Sequence, residues 1–196
     1  MSTDNEQQKR WWKGSGDEFD CWDDLRFPAS TINPIGQTNA ASVDTVEADY
    51  PATLLFSNAT DNMCAGVAQM PHEWLIGSEI RPHIHWMKTT DATGTVVWEF
   101  KYRIIGSVGG SAIAWSSADN GTLVVTHANL KATHALTSFT AIPMTEYRES
   151  AMVAWILYRR VATDTYAAPA RLLELDFHYQ RQAGKRGTIS EYPVIG

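Results

Sequence analysis

The alternation of apolar and polar residues between positions 96 and 104 constrains the fold of this chain more than any other feature. Every second residue from Val96 to Ile104 is apolar or aromatic. The charged residues that lie between them are Glu99, Lys101 and Arg103. Because successive side chains of a strand point to opposite faces, this segment predicts a β-strand with one buried and one wet face.

The same strand signal returns along the chain from about residue 50. Residues 171–180 also alternate, and the residues predicted to face inward are Leu173, Leu175, Phe177 and Tyr179. Their polar neighbours Glu174, Asp176 and His178 are predicted to face outward. Residues 152–161 are apolar on both faces for most of their length, which is typical of a central strand that is covered on each side.

Eight or nine short strands are predicted, with glycine-rich turns between them and almost no helix. The strand signals lie near 52–57, 64–70, 79–88, 95–105, 112–116, 122–127, 137–143, 151–161 and 170–180. One weak helical signal covers residues 129–136. This pattern predicts an all-β fold, an antiparallel β-sandwich or jelly roll of about eight strands, for residues 49–196.

Residues 1–48 show neither a helical nor a strand period, and we predict that they form an extended N-terminal arm. The arm contains five aromatic residues, which is unusual for a disordered tail. These are Trp11, Trp12, Phe19, Trp22 and Phe27. The sequence leaves two possibilities open, since such an arm either docks onto a neighbouring subunit for assembly or folds back onto its own domain.

Charge and apolar content exclude several classes of partner. The net charge is −6, and no run of lysine and arginine appears, so direct nucleic-acid binding is not expected. No apolar run has the length of a membrane span, and no secretory leader pattern is present. The two cysteines, Cys21 and Cys64, lack the paired spacing of a zinc site. We therefore expect a protein made in a cytoplasm, without a membrane partner.

Three of the six histidines fall between residues 70 and 86, and two of them share a strand face. On an extended strand, His83 and His85 lie on the same side as Arg81. Gly77, followed by five residues and then His83-Ile84-His85, matches the start of the first cupin motif, which binds a metal.

The remainder of that cupin motif is missing. The positions where it requires a glutamate hold Thr89 and Thr90. Two ligands without a third rarely hold a catalytic metal, and Arg81 on the same face opposes a cation. We therefore expect no metal and no cofactor, with His83 and His85 as the only candidates for metal ligands. The cluster is instead interpreted as a structural polar network formed by Arg81, His83, His85, Asp176 and His178.

The chain contains no phosphate-binding glycine loop, no nucleophile elbow and no zinc-protease helix motif. No local context marks a catalytic serine, and alternating acids such as Glu174 and Asp176 are typical of the wet side of a strand. We therefore predict that the protein is not an enzyme.

Several motifs resemble a pattern found in small bacteriophage virion proteins. They are Gln69-Met70-Pro71-His72-Glu73-Trp74, residues 77–86, residues 98–102, Arg159-Arg160 with Asp164-Thr165-Tyr166, Leu175-Asp176-Phe177-His178-Tyr179, and residues 187–192. The resemblance covers residues 65–195 and leaves the arm unmatched. It implies a structural component of the virion, of the head decoration, head fibre, neck or tail accessory type.

The resemblance implies a protein that binds other phage capsid, neck or tail proteins and is located in the virion after synthesis in the bacterial host. We expect a homo-oligomer, a trimer or a larger ring, because closure would cover strand edges that a lone sandwich leaves open. Two alternatives from other functional classes remain. One is a carbohydrate-binding module for receptor recognition on a tail, with exposed tryptophans such as Trp74 or Trp115 as stacking platforms. The other is a cupin-like metal-dependent enzyme that uses His83 and His85.

Overall fold

The computed structural model describes residues 21–34, 39–105, 121–126 and 133–182. This part of the chain forms ten strands and one short 3-10 helix, and it contains no α-helix. The elements in chain order are β1 (Cys21–Pro28), the 3-10 helix (Ala29–Thr31), β2 (Ser42–Thr45), β3 (Ala52–Phe56), β4 (Met63–Gln69), β5 (Ile80–Lys88), β6 (Thr95–Ile105), β7 (Gly121–Thr126), β8 (His134–Ser138), β9 (Met152–Arg159) and β10 (Ala170–Arg181).

Strands β3 to β10 form four nested antiparallel pairs. β6 pairs with β7, β5 with β8, β4 with β9, and β3 with β10. Further pairing of β5 with β10 and of β6 with β9 joins these ribbons into two sheets. The strand orders are β3-β10-β5-β8 in the first sheet and β4-β9-β6-β7 in the second. A nested ribbon folded over into two four-stranded sheets is a jelly roll, so the predicted fold class is confirmed.

Two strands from the predicted arm extend the first sheet. β2 pairs with β3, and β1 runs antiparallel along β10 from Cys21 opposite Arg181 to Pro28 opposite Glu174. β3 pairs only with residues 170–172 of the long strand β10, so most of that edge would be open without β1. The expected boundary at residue 48 therefore does not separate an arm from the sandwich in the described residues.

The aromatic residues of the predicted arm that the structure describes, Trp22 and Phe27, differ in their packing and solvent exposure. Phe27 packs edge-on against Trp155 at 5.9 Å and against Phe177 at 6.1 Å between ring centroids. Trp22 is 41% exposed on the outer side of β1. Trp11, Trp12 and Phe19 lie outside the described residues. Part of the predicted arm thus folds back onto its own domain.

Large aromatic side chains fill the space between the two sheets. Trp86 and Phe56 from the first sheet contact Trp98 from the second, with ring centroids 5.7 and 4.9 Å apart. Trp74 is also fully buried, so the expectation that it offers a sugar-stacking platform is wrong. Its large indole is used for packing in the core. Trp115 lies outside the described residues.

A register shift in β10 changes which side chains face the core. The pairing with β5 is irregular between Leu172 and Glu174. Leu172 is fully buried, whereas Leu173, predicted to face inward, is only half-buried. Because a bulge inserts an extra residue, it reverses the alternation of the preceding residues, and the strand regains the predicted orientation from Leu175 onward.

Residues 134–136 of the segment with the weak helical signal, 129–136, lie in a strand, while residues 129–132 lie outside the described residues. His134 opens strand β8, which pairs antiparallel with β5. None of the helical segments in the described part of the chain has the length and hydropathy that a membrane-spanning helix requires.

Candidate functional site

The outer side of the first sheet brings together four of the histidines. β5 and β10 lie side by side, with His83 opposite Asp176 and Arg81 opposite His178. β8, on the other side of β5, adds His134 to the same surface. We call this surface the histidine face. Its members are Arg81, His83, His85, His134, Asp176 and His178.

Asp176 links two of these histidines. Its Oδ2 atom lies 3.3 Å from Nε2 of His83 and 3.3 Å from Nε2 of His85. The side chains of His83 and Asp176 are only 4% and 5% exposed, whereas that of His85 is 23% exposed. The carboxylate is enclosed because β10 is flanked by β1 on one side and by β5 on the other. A carboxylate buried to this extent needs a cationic or hydrogen-bonding partner.

The imidazole rings form a continuous row. His83 stacks on His178, with centroids 4.2 Å apart and planes inclined by 16°. It contacts His85 edge-on at 5.1 Å, and His85 stacks in turn on His134 at 4.8 Å. Nδ1 of His85 is also hydrogen-bonded to Nε2 of His134 at 2.6 Å. Four ring positions are therefore fixed by their neighbours on the sheet.

The two central histidines have pKa values displaced in opposite directions. Burial acts to lower the pKa of His83, but the hydrogen bond and charge of Asp176 outweigh it and raise this pKa. Burial lowers the pKa of His85, and the neighbouring His83 and His134 reinforce the shift against the attraction of Asp176. The surroundings thus favour a proton on His83 and disfavour one on His85.

Strand β1 supplies a polar border to the histidine face. Asp24 Oδ1 lies 2.7 Å from Nδ1 of His178, and Arg26 forms a two-point ion pair with Glu174. Arg81 contacts Glu79 and lies over the ring of Trp22 at 4.8 Å. The guanidinium group of Arg81 is therefore engaged at the margin of the face by Glu79, which directly precedes β5, and by the ring of Trp22 on β1.

The structure brings together all five residues of the predicted polar network. Sequence reasoning missed His134, because its segment carried a weak helical signal, and it also missed the border residue Asp24. It placed Asp176 on the correct side of its strand but had no means to place that strand beside β5. The available signal was the jelly-roll order itself, in which the last strand lies next to β5.

A second group of charges, centred on Arg159 at the end of β9, holds the loop that follows this strand against the sandwich. The fully buried Arg159 donates to Asp164 at 2.7 Å and to the carbonyl oxygens of Phe56, Tyr166 and Ala168. Every nitrogen of its guanidinium group has an acceptor. This network is a structural anchor, because every guanidinium nitrogen is engaged within the domain and the side chain is enclosed.

The chain is similar to solved structures, but no protein family is identified for it. No protein-family model matches the chain, and no curated protein matches it. Among solved structures, the isomalto-dextranase of Arthrobacter globiformis T6 in complex with panose has 14% identity and a TM-score of 0.48, over 79% of this chain and 23% of that one. The chain therefore spans about a quarter of that enzyme.

Two smaller solved domains align over most of their length. The CBM36-1 domain of a multidomain xylanase, from the hindgut metagenome of Trinervitermes trinervoides, has 8% identity and a TM-score of 0.47, over 85% of this chain and 100% of that one. The xylan-binding CBM22-2 domain from Paenibacillus barcinonensis has 8% identity and a TM-score of 0.45, over 79% and 98%. Similarity of this degree carries no argument about function.

Proposed function

We propose that the protein is a non-enzymatic structural subunit of a bacteriophage particle, which forms a homo-oligomer attached to the capsid, neck or tail. The resemblance of residues 65–195 to small virion proteins supports this assignment, as does the jelly roll, a fold that viral capsid proteins use widely. The fold alone does not select the function, because lectins and cupins share it.

The observation that carries the proposal is a set of open sheet edges with exposed aliphatic side chains, on β2, β4 and β8, of which Val43 on β2 is 65% exposed. In the described part of the chain, β8 pairs only with β5, and its Leu136 is 51% exposed. β4 pairs with β9, and apart from one bridge to Ala40 its other edge has no partner among the described residues. Val67 on β4 is 49% exposed. Soluble proteins protect such edges, and a neighbouring copy of the chain is one means of protection.

The N-terminal segment offers a second contact for assembly. β1 lies along β10 with Trp22 exposed, and residues 1–20 precede it with Trp11, Trp12 and Phe19. Each aromatic side chain that is well buried on a neighbouring subunit contributes about 1.5–3 kcal/mol. A short segment with three such residues therefore adds to the free energy that holds a subunit in a ring or on a particle.

The oligomer is tested by native mass spectrometry of the full-length protein and of a variant lacking residues 1–20. We expect a trimer or larger ring for the full chain and a smaller species for the truncated one, with the same circular dichroism spectrum. An oligomer of unchanged size after truncation would contradict the role of the segment.

The virion assignment is tested on purified particles of the phage that encodes the chain. We expect the protein in the particles in a fixed ratio to the major capsid protein, as measured by quantitative peptide mass spectrometry. Recovery only in the soluble fraction of the lysate would contradict a structural role. In the carbohydrate-binding alternative, Trp74 cannot serve as a stacking platform because it is fully buried. A glycan array with the full-length protein tests whether the protein binds sugars through other residues.

A further inference from the structure

We propose that His83, His85 and Asp176 form a binding site for a divalent transition-metal ion, and that zinc is the ion this donor set fits. The three residues offer two imidazole nitrogens and one carboxylate oxygen, all within 4.8 Å of one another. Two histidines and one carboxylate with an open position form a recurrent metal-binding arrangement in proteins. The site does not depend on the virion proposal, and it implies no catalytic step.

The separations between donor atoms suit a zinc ion. Oδ2 of Asp176 lies 3.3 Å from Nε2 of each histidine. Tetrahedral zinc with bonds of about 2.0–2.2 Å to nitrogen and oxygen places its donors about 3.3–3.6 Å apart. Two edges of the coordination polyhedron are therefore present in the protein, and the donor atoms of the two imidazoles lie within 4.8 Å of each other.

Two polar atoms at the site have no partner among the described residues. Oδ1 of Asp176 and Nδ1 of His83 are buried and make no hydrogen bond there. Their side chains are more than nine-tenths buried, where an unpaired polar atom is costly. A cation held at Oδ2 compensates the charge of the enclosed carboxylate, and its second oxygen is free to join the coordination.

The neighbours of the three donors suit a metal site. Metal-bound histidines usually hydrogen-bond through the other ring nitrogen, which fixes their orientation. Nδ1 of His85 has such a partner in Nε2 of His134 at 2.6 Å, which leaves Nε2 directed toward Asp176. Stacking on His178 holds the ring of His83. The exposed side of His85 leaves a path for the ion and a position for water or for a ligand from another molecule.

The surrounding charges do not oppose a cation. The nearby arginines, Arg26 and Arg81, are each paired with a glutamate, Glu174 and Glu79. Asp24 adds a further negative charge beside His178. The donors come from β5 and β10, which meet only in the folded sheet, so metal binding stabilises the native state.

Zinc titration of the untagged, EDTA-treated full-length protein by calorimetry tests the site. We expect one zinc ion per chain and a rise of the melting temperature on zinc addition. His85→Gln and Asp176→Asn should weaken zinc affinity more than about 100-fold, beyond the roughly 10–100-fold loss expected for the supporting variant His134→Gln. His72→Gln, on a histidine that bonds to Ser150 away from this face, is the control with unchanged affinity.

Cobalt gives a second readout that a purely structural role of these residues would not change. The full-length protein with Co²⁺ should show the visible absorption of a tetrahedral site, and His85→Gln should lose it. Should Asp176→Asn fail to fold, His85→Gln decides the question, because its side chain is partly exposed. Zinc affinity unchanged in His85→Gln, or the lack of saturable one-to-one binding, would overturn the proposal.

Discussion

Two arginine–glutamate ion pairs in this protein differ in the solvent exposure of their side chains. Arg160 donates to both oxygens of Glu99 at 2.7 and 2.8 Å, and their side chains are 27% and 14% exposed. The pair of Arg81 and Glu79 has side chains that are 56% and 41% exposed. Solvent screens the second pair far more strongly than the first, so the two make a matched comparison.

Glu99→Gln should lower the free energy of unfolding at neutral pH by about 1–2 kcal/mol. The hydrogen bonds from Arg160 lower the pKa of Glu99 against the opposing effect of burial, and Lys101 adds to the shift. The stabilisation is complete above the ordinary glutamate pKa and is lost as pH falls through the lowered pKa of the folded state. Urea denaturation at pH 7 and at pH 3 measures it.

Glu79→Gln is the control, with an expected change of less than about 0.5 kcal/mol at either pH. An equal loss of stability for Glu99→Gln at pH 7 and pH 3 would show that the pair acts through packing rather than through charge.

The close approach of Gly66 to Trp155 gives a second test at a single residue. A methyl group at Gly66 would overlap the indole ring of Trp155, which Phe27 and Phe100 hold in place. Gly66→Ala should therefore destabilise the protein by about 1–3 kcal/mol. In a Trp155→Phe background the smaller ring leaves space, so the additional cost should fall, as a double-mutant cycle of unfolding free energies measures. Strictly additive effects would contradict the steric explanation.

The candidate site was predictable from the sequence only within each strand. The two-residue spacing places His83 and His85 on one side of β5, and the alternation of β10 places Asp176 on its outer side. The distances between those side chains depend on which strands are neighbours and on their register. That information is carried by the whole chain and not by any local pattern, so Asp176 was not expected as a metal ligand.

Strand β1, like β2, lies outside the nested pairs of the jelly roll. It covers the C-terminal two thirds of β10, and it adds Leu25 and Phe27 to the margin of the core. Its outer side supplies Asp24 and Arg26 to the border of the histidine face. The strand thus has a role in the stability of the domain as well as in its surface.

Deletion of residues 1–28 should destabilise the domain by at least about 2 kcal/mol relative to deletion of residues 1–20, because it removes the apolar side chains of β1. It also opens the edge of β10 to association with other chains. Guanidinium denaturation of the two truncated proteins measures the difference. Equal stability of the two would show that β1 is dispensable for the fold.

Most of the strands were predictable from the local sequence, including the short strands β3, β4 and β7, whereas those of the N-terminal segment were not. β6 and β10 carry clear alternation and β9 carries the apolar run of a covered strand, and together with β5 they form the middle of the two sheets. β1 and β2 were missed because neither carries a clear alternation, and β8 was predicted three residues too late, near 137–143. The bulge at Leu172–Glu174 was also missed, since its cause is the pairing with β5.

For the whole molecule, the open edges predict where copies of the chain meet. Leu136→Lys and Val67→Lys each place a charge on an exposed edge strand, which natural proteins use to prevent edge pairing. We expect at least one of the two to reduce the oligomer to a smaller species in native mass spectrometry, with an unchanged melting temperature for the folded subunit.

Ile76→Lys is the matched control, because Ile76 is 39% exposed in a loop and lies on no strand. Loss of the oligomer in this variant as well would show that general surface hydrophobicity, rather than the strand edges, drives assembly. Retention of the full oligomer in both edge variants would place the contact elsewhere.

The overall architecture was predictable because strand number and the near absence of helix leave few all-β folds. The function could not be predicted in the same way, because proteins that share a jelly roll differ in function through their exposed side chains and their partners. Trp74 illustrates the limit, because its type suggested a sugar platform and its burial excludes that use.

The position of β10 also has a consequence for the synthesis of the chain. β10 is the last strand described and is the central strand of the first sheet, where it contacts β1, β3 and β5. A ribosome-bound chain can close the β6–β7 hairpin early, but it must hold β1, β3 and β5 without their shared partner until residue 181 has emerged. We therefore expect folding to finish only after residue 181 has left the ribosome, and to be slow for a domain of this size because its contacts join distant parts of the chain.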